Sequence, residues 1–397
     1  MTTTQPMIQG SVAPGFERVR DAFVENLTRQ GEAGASFCAY VDGVEVAHLW
    51  GGEARPGVPW TADTLACGAA VGIGVAALVA QRLADQGKLD VDAPVAAYWP
   101  EFAAEGKGAI TVRMVLGHSA GLPWFPDPEL RVRLDRPETL LDSEAILRLI
   151  EAAPPVWEPG TQCGYHTATY GWLVGEIVRR VTGKSLGTYL RDEIAGPLGA
   201  EYWIGLPEAE HHRVAWMSPD PITDTDQFYK FLNADTPPGK AMFMSPHRRF
   251  GDMIRDGMNH PTFWRAELAS RNGVGTARGV ARLYAMLASG GELDGVRVVS
   301  ADSTARHIEV QYDGNDFIWG NPLRVGLGYM RPSASVGMGP HDEAFGHPGF
   351  GGAIGFADPV SRVGFAFLPN RMVLALTTDA RAETLASALY ACLKTSA

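Results

Sequence analysis

Thr64-Leu-Ala-Cys-Gly-Ala-Ala-Val-Gly-Ile-Gly-Val-Ala-Ala-Leu78, followed closely by Ala84-Asp-Gln-Gly-Lys-Leu-Asp-Val-Asp-Ala-Pro94, is the stretch on which the reading of the fold turns. Val71, Val75, Leu78, Val79 and Leu83 recur at helical spacing, so the second half of the first segment is a buried helix. Gly87 ends that helix and an acidic turn follows. Upstream of the helix the chain is small and uncharged, with no Lys or Arg between Arg55 and Arg82.

Outward from this helix, the N-terminal side carries Phe16, Val19, Phe23 and Leu27, the three-to-four spacing of an amphipathic helix over residues 16–27. Two β-rich runs, 35–41 and 44–50, flank Asp42-Gly43, a hairpin signal because such pairs tolerate positive φ. On the C-terminal side, 65–206 reads as mostly helical. It includes a short helix over 111–116, one capped by Ser143 over 144–150, and a buried helix over 170–181 closed by Gly183. Residues 207–262 lack periodicity and read as long loops near a pocket mouth. A helix over 276–289 follows, then strands over 296–300, 352–356, 363–368 and 372–376, and a closing helix over 381–393. Helix and strands, a long helical insertion, then strands and helix is an α+β plan: an antiparallel sheet flanked by the terminal helices and carrying an all-helical lobe. The expected division is a single domain over 1–397. Its α/β part comprises 1–65 and 265–397, and its helical and loop part 66–264.

The chain has 397 residues with a formal net charge of -11. An acidic surface without basic runs repels phosphate backbones and anionic lipid, so nucleic acid and membrane are excluded as expected partners. Residues 1–10 have no secretory pattern, and no apolar run reaches the length of a membrane span. Cys38, Cys67, Cys163 and Cys392 are scattered, which suggests reduced thiols and a cytoplasmic protein. His211-His212 beside Glu208 and Glu210 lacks the i, i+4 spacing of a helical zinc site and reads as a solvated loop; no metal and no cofactor is expected.

The ordered marks Ile110-Thr-Val-Arg-Met-Val-Leu-Gly-His-Ser-Ala-Gly-Leu122, Trp157-Glu-Pro-Gly-Thr161, Tyr165-His166, Pro197-Leu-Gly199, Asn272-Gly-Val-Gly-Thr276 and Phe345-Gly-His-Pro-Gly-Phe-Gly-Gly352 extend the pattern over almost the whole chain. Together with the buried helix, they resemble the serine β-lactamase and penicillin-binding-protein superfamily, most closely family VIII carboxylesterases, which have a class C β-lactamase-like fold. The resemblance implies a Ser-x-x-Lys box at the start of the helix, where serine attacks a carbonyl and lysine manages its proton. That box falls on Ala70-Val71-Gly72-Ile73. Ala70 has no hydroxyl and Ile73 no amine.

The resemblance further implies that Tyr165 is the second-motif tyrosine and His347-Pro348-Gly349 the third box, so Tyr165 and His347 are the candidate catalytic residues. Without the lysine, Tyr165 stays protonated and donates a hydrogen bond, whereas the alternative is an ordinary buried tyrosine. His347 either addresses substrate or is a structural histidine satisfied by backbone. The backbone N–H groups of Ala70 and Phe350 form the implied oxyanion hole, which does not need the serine side chain. Trp124, Phe125, Trp157, Gly349 and His166 are the candidate substrate-binding residues, with Phe263 and Trp264 as further aromatic wall. Cys67, Cys163 and Ser119 read as bland residues rather than displaced nucleophiles.

Three functions stay open. One is non-covalent chemistry on a small carbonyl- or ester-containing metabolite: isomerisation, cyclisation, elimination or direct water attack. Another is a family VIII-type carboxylesterase or acyltransferase with an inactivated box. The last is a non-catalytic small-molecule-binding protein. A homo-oligomer is compatible with each.

Overall fold

The computed structural model describes residues 8–134, 136–221, 226–244, 246–247, 249–374 and 378–395. Chain ends that are far apart in sequence build one antiparallel sheet. From the N-terminal part come β1 (Ile8–Val12), β2 (Gly34–Val41) and β3 (Val44–Arg55), and from the C-terminal part β4 (Phe345–Pro348), β5 (Ile354–Asp358) and β6 (Val363–Pro369). Their order across the sheet is β1-β3-β2-β6-β5-β4, and Val58–Pro59 adds a short seventh strand beside β3. The β2–β6 pairing, from Val41↔Val363 to Ala35↔Pro369, joins the two halves. The hairpin turns as expected: Asp42 and Gly43 have φ of 50° and 76°, the left-handed pair whose twist matches that of the strands.

Both terminal helices appear, α1 at Glu17–Thr28 and, as the last helix, Ala380–Thr395. The helix quoted first is α2 (Val71–Asp85), in which twelve of fifteen residues are buried, so it is a core helix with almost no solvent face. Next to it runs α3 (Thr169–Thr182), ended by Gly183 at φ 73°. α4 (Ala277–Ala288) lies across the sheet, and the helix closing the chain is α5.

Several local expectations need revision. Asp142 rather than Ser143 caps the helix at Ser143–Ala152, its carboxylate accepting the Ala145 N–H at 3.0 Å. Residues 207–262 hold short helical turns, among them Asp226–Phe231, Pro237–Ala241 and Pro261–Arg265. The strand expected over 296–300 shrinks to Val296–Arg297, because Ser300 instead caps an unforeseen helix at Ala301–Ile308. In the strand expected over 372–376, Arg371–Met372 pairs in parallel with Ser218–Pro219, and residues 375–377 lie outside the described residues.

α4 reaches the sheet at a place with no room for a side chain. A Cβ on Gly364 of β6 would come 2.4 Å from the Ala285 nitrogen and 2.5 Å from its Cα. Both are backbone atoms of α4, so relief requires moving the helix off the sheet. Gly364→Ala is therefore expected to cost about 1–3 kcal/mol. Urea unfolding of the variant beside the parent protein measures this, and an unchanged midpoint contradicts the packing described.

Candidate active site

The chain enters α2 through a strained turn. Ala69 has φ 45°, a conformation that costs an L-residue about 1–2 kcal/mol. The N–H groups of Val71, Gly72 and Ile73 turn back onto the carbonyls of Gly68, Ala69 and Ala70. The Ala70 N–H has no protein acceptor among the described residues, and Ala70 lines a cavity of about 140 Å³. Ile73, one helical turn further, is fully buried in the core.

Opposite this turn, the end of β4 comes in at backbone distance. A Cβ on Gly349 would lie 2.1 Å from the Gly68 carbonyl oxygen, so only glycine permits the approach. This contact puts Phe350, next in the chain, on the same cavity wall as Ala70. The two residues whose amides the sequence nominates as oxyanion donors therefore share one cavity.

Tyr165 also lines the cavity, and its hydroxyl lies 3.3 Å from His347 Nε2. The other imidazole nitrogen, Nδ1, is 2.7 Å from the Pro348 carbonyl and so carries the proton. Nε2 is thus the acceptor, and the Tyr165 O–H donates to it. Burial holds both groups neutral: it raises Tyr165 well above the usual phenol range and lowers His347 to about 4. His347 is 1% exposed and sits behind Tyr165 rather than in the cavity wall. The expectation that it faces substrate directly is corrected: both ring nitrogens are already used.

Asp316, which the sequence reading passed over, holds this tyrosine from the other side. One carboxylate oxygen accepts the Tyr165 N–H at 2.6 Å and the other the Trp319 N–H at 2.7 Å. Burial raises its carboxyl to about 6. Among the remaining candidates, His166 is buried with both ring nitrogens on backbone: Nδ1–H donates to Gly164 O, and Nε2 accepts the Leu122 N–H. Trp157 packs edge-on against His166 and Phe317, and Phe125 stacks with Trp172 and Phe243. Neither they, nor Trp124, Phe263, Trp264 or His166, line the cavity, which corrects their reading as substrate contacts. Trp319, Phe350 and the methionines Met242, Met258, Met330 and Met372 form the apolar wall instead. Sequence spacing gave no signal for Trp319, Met242, Met258 and Met330, because they come from separate segments brought together only by the fold, whereas Phe350 belongs to the Phe345–Gly352 run.

Of the hydroxyls on the cavity, Ser270 donates to the Ala168 carbonyl at 2.8 Å. Burial raises the Cys67 thiol to about 11 and the Cys163 thiol higher still, so neither is a thiolate at neutral pH. Ser119 leans on the Met114 carbonyl, and His211 and His212 contact the Leu206 and Ala209 carbonyls. Among the described residues no group of three or more His, Cys, Asp or Glu side chains is placed to hold a metal, and no helix is long and apolar enough to cross a membrane.

The buried histidines make a pH prediction with a definite sign. His166, His307 and His347 are all lowered to about 4 by burial, and His118 is lowered further by burial and neighbouring histidines. Between pH 6.5 and 4 the unfolded chain takes up protons that the folded one refuses. Their contribution is full above pH 6.5 and is lost on acidification, each histidine giving about 1.4 kcal/mol per pH unit. Asp316 and Glu32, raised by burial, act in the opposite direction but are fewer. The urea midpoint is expected to fall from pH 7.5 to pH 5; a constant or rising midpoint contradicts the buried neutral cluster.

With this geometry in view, the similarities are consistent. The beta-lactamase family model matches residues 19–389. The chain is 35% identical over 380 residues to Esterase/beta-lactamase LipL of Mycobacterium tuberculosis, covering 92% of this chain and 83% of that protein. The structure of a family VIII carboxylesterase superposes with a TM-score of 0.85 at 38% identity, covering 97% of this chain and 100% of that one. A penicillin-binding protein homolog from Caulobacter crescentus gives 0.83 at 36% identity, with the same coverage. The chain belongs to the beta-lactamase family and has its α+β, transpeptidase-like fold.

Proposed function

We propose that this protein acts non-covalently on a small carbonyl- or ester-containing compound, with Tyr165 and His347 as a proton relay and the backbone amides of Ala70 and Phe350 as oxyanion donors. The observation carrying this reading is the Tyr165 hydroxyl donating to His347 Nε2 at 3.3 Å, in a cavity whose wall holds Ala70 where the family resemblance places the serine. The substrate carbonyl oxygen sits on the amides, which stabilise negative charge as it develops; a single such donor is worth about 10²–10³ in rate. Tyr165 oxygen takes a proton from a C–H beside that carbonyl, or from an attacking water or hydroxyl. Its own proton passes to Nε2, which leaves the imidazolium behind Tyr165 as negative charge builds on the substrate oxygen. Burial makes His347 a weak resting base, so the relay works only as that negative charge forms. No acyl-enzyme is formed at Ala70 or Ile73, which offer neither hydroxyl nor amine.

A second reading is supported by the similarity to an esterase and a carboxylesterase: an ester-hydrolase site whose nucleophile box is altered. Hydrolysis of p-nitrophenyl butyrate separates the two. The non-covalent reading expects slow turnover without a burst, reduced about a hundredfold or more by Tyr165→Phe. Turnover that Tyr165→Phe leaves unchanged overturns the relay. Inactivity of the native chain, with burst kinetics only in an Ala70→Ser/Ile73→Lys variant, favours the altered esterase.

A further inference from the structure

Arg271 is the one cation lining the cavity among the described residues. It lies on the short helical segment Ala269–Asn272, whose backbone is fixed on several sides. The Asn272 side chain accepts the Leu268 N–H and donates to the Phe263 and Ala266 carbonyls, and the Cys67 thiol donates to the Arg271 carbonyl. The altered box takes part in this clamp. A Cβ on Gly72 would come 2.0 Å from the Ala269 carbonyl oxygen, so α2 and this segment touch backbone to backbone. Arg271 is therefore held at a fixed place relative to the first turn of α2, and it lines the same cavity as Ala70.

Its guanidinium is poorly matched by the protein. Among the described residues its single hydrogen bond goes to the Met242 carbonyl at 3.3 Å, out of five N–H donors available. Among the described residues no ion pair holds it; the other charged residue on the wall, Asp316, has its two oxygens on the Tyr165 and Trp319 amides. Burial lowers Arg271 to about 10, which leaves it a cation at neutral pH. A half-buried cation between methionines with unused planar donors is costly unless an anion completes it, and a carboxylate matches a guanidinium fork bidentately.

We infer that Arg271 anchors a carboxylate of the ligand, so that this site takes small organic acids bearing a carbonyl or ester group. The inference rests on the proposed use of the same cavity and narrows it to anionic compounds. The volume of about 140 Å³ is similar to that of an apolar cavity that accepts benzene, so a six-membered ring or a short acyl chain fills it. The Met242, Met258 and Trp319 surfaces then cover the apolar part of such a ligand while Arg271 holds its charged end.

Titration calorimetry at pH 7.5 with benzoate and with benzamide, its neutral isostere, tests this without any turnover. The full chain is expected to bind benzoate about tenfold tighter than benzamide, a charge-assisted contact that the amide cannot match. Arg271→Gln is expected to erase the preference, and Arg271→Lys to keep the preference for the anion at lower affinity. Arg271→Lys also guards against a folding defect from losing the side chain, as does the melting temperature of each variant without ligand. Equal binding of the two probes, a preference that survives Arg271→Gln, or no saturable benzoate binding overturns the inference. Benzoate held through Arg271 in a protein whose turnover ignores Tyr165 leaves the anchor standing and removes the relay. Tyr165-dependent turnover with no carboxylate preference does the reverse.

Discussion

Everything in the cavity depends on one backbone contact: the Gly68 carbonyl against Gly349, at a distance that excludes a Cβ. On one side of it stand the strained Ala69 and the mouth of α2, on the other the edge strand β4 and Phe350. The contact sets Phe350 on the cavity that Ala70 also lines, and it is independent of the side chain at position 70. A hydroxyl and an amine can thus be absent from the first turn of α2 while the surrounding scaffold keeps its shape. Strain at Ala69 persists for the same reason, since the packing on either side of the turn over-determines it.

Electrostatics follow from the same replacement. An amine at position 73 would be a buried cation in the first turn of α2; the fully buried isoleucine there brings no charge. Desolvation then dominates, pushing the phenol up and the imidazole down, and the pair becomes a hydrogen-bonded couple of neutral groups. The positive charge on the cavity wall is that of Arg271, which has no partner acid among the described residues.

The fold was legible because its signals are local and ordered. The Asp42-Gly43 turn, the apolar stripe of α2, Gly183 and the Phe345–Gly352 run each mark an element, and their order defines the architecture. Tyr165, Ala70 and Gly349 were legible as cavity residues because each belongs to a motif anchored on such an element. The position of His347 behind Tyr165 was not legible, since the imidazole hydrogen bonds depend on the Pro348 carbonyl and on burial. The aromatic wall was misplaced. Phe125 packs on Trp172 and Phe243, Trp157 on His166 and Phe317, and Trp124 lies under the Lys240 ammonium, whereas Trp319, Met242 and Met258 reach the cavity from short segments without periodicity. Asp316 and Arg271 carried no sequence signal, because a lone acid or base in a loop reads as solvated until the fold buries it.

A cavity that works without a covalent nucleophile leaves no acyl group on the protein, and mass spectrometry reads this. The protein is incubated with p-nitrophenyl butyrate and quenched in acid, then weighed intact and peptide-mapped. The account predicts no butyryl group on any residue lining the cavity, while an Ala70→Ser/Ile73→Lys variant carries one on the introduced hydroxyl. A butyryl group mapped in the native protein to Ser270, Tyr165 or another cavity residue contradicts it.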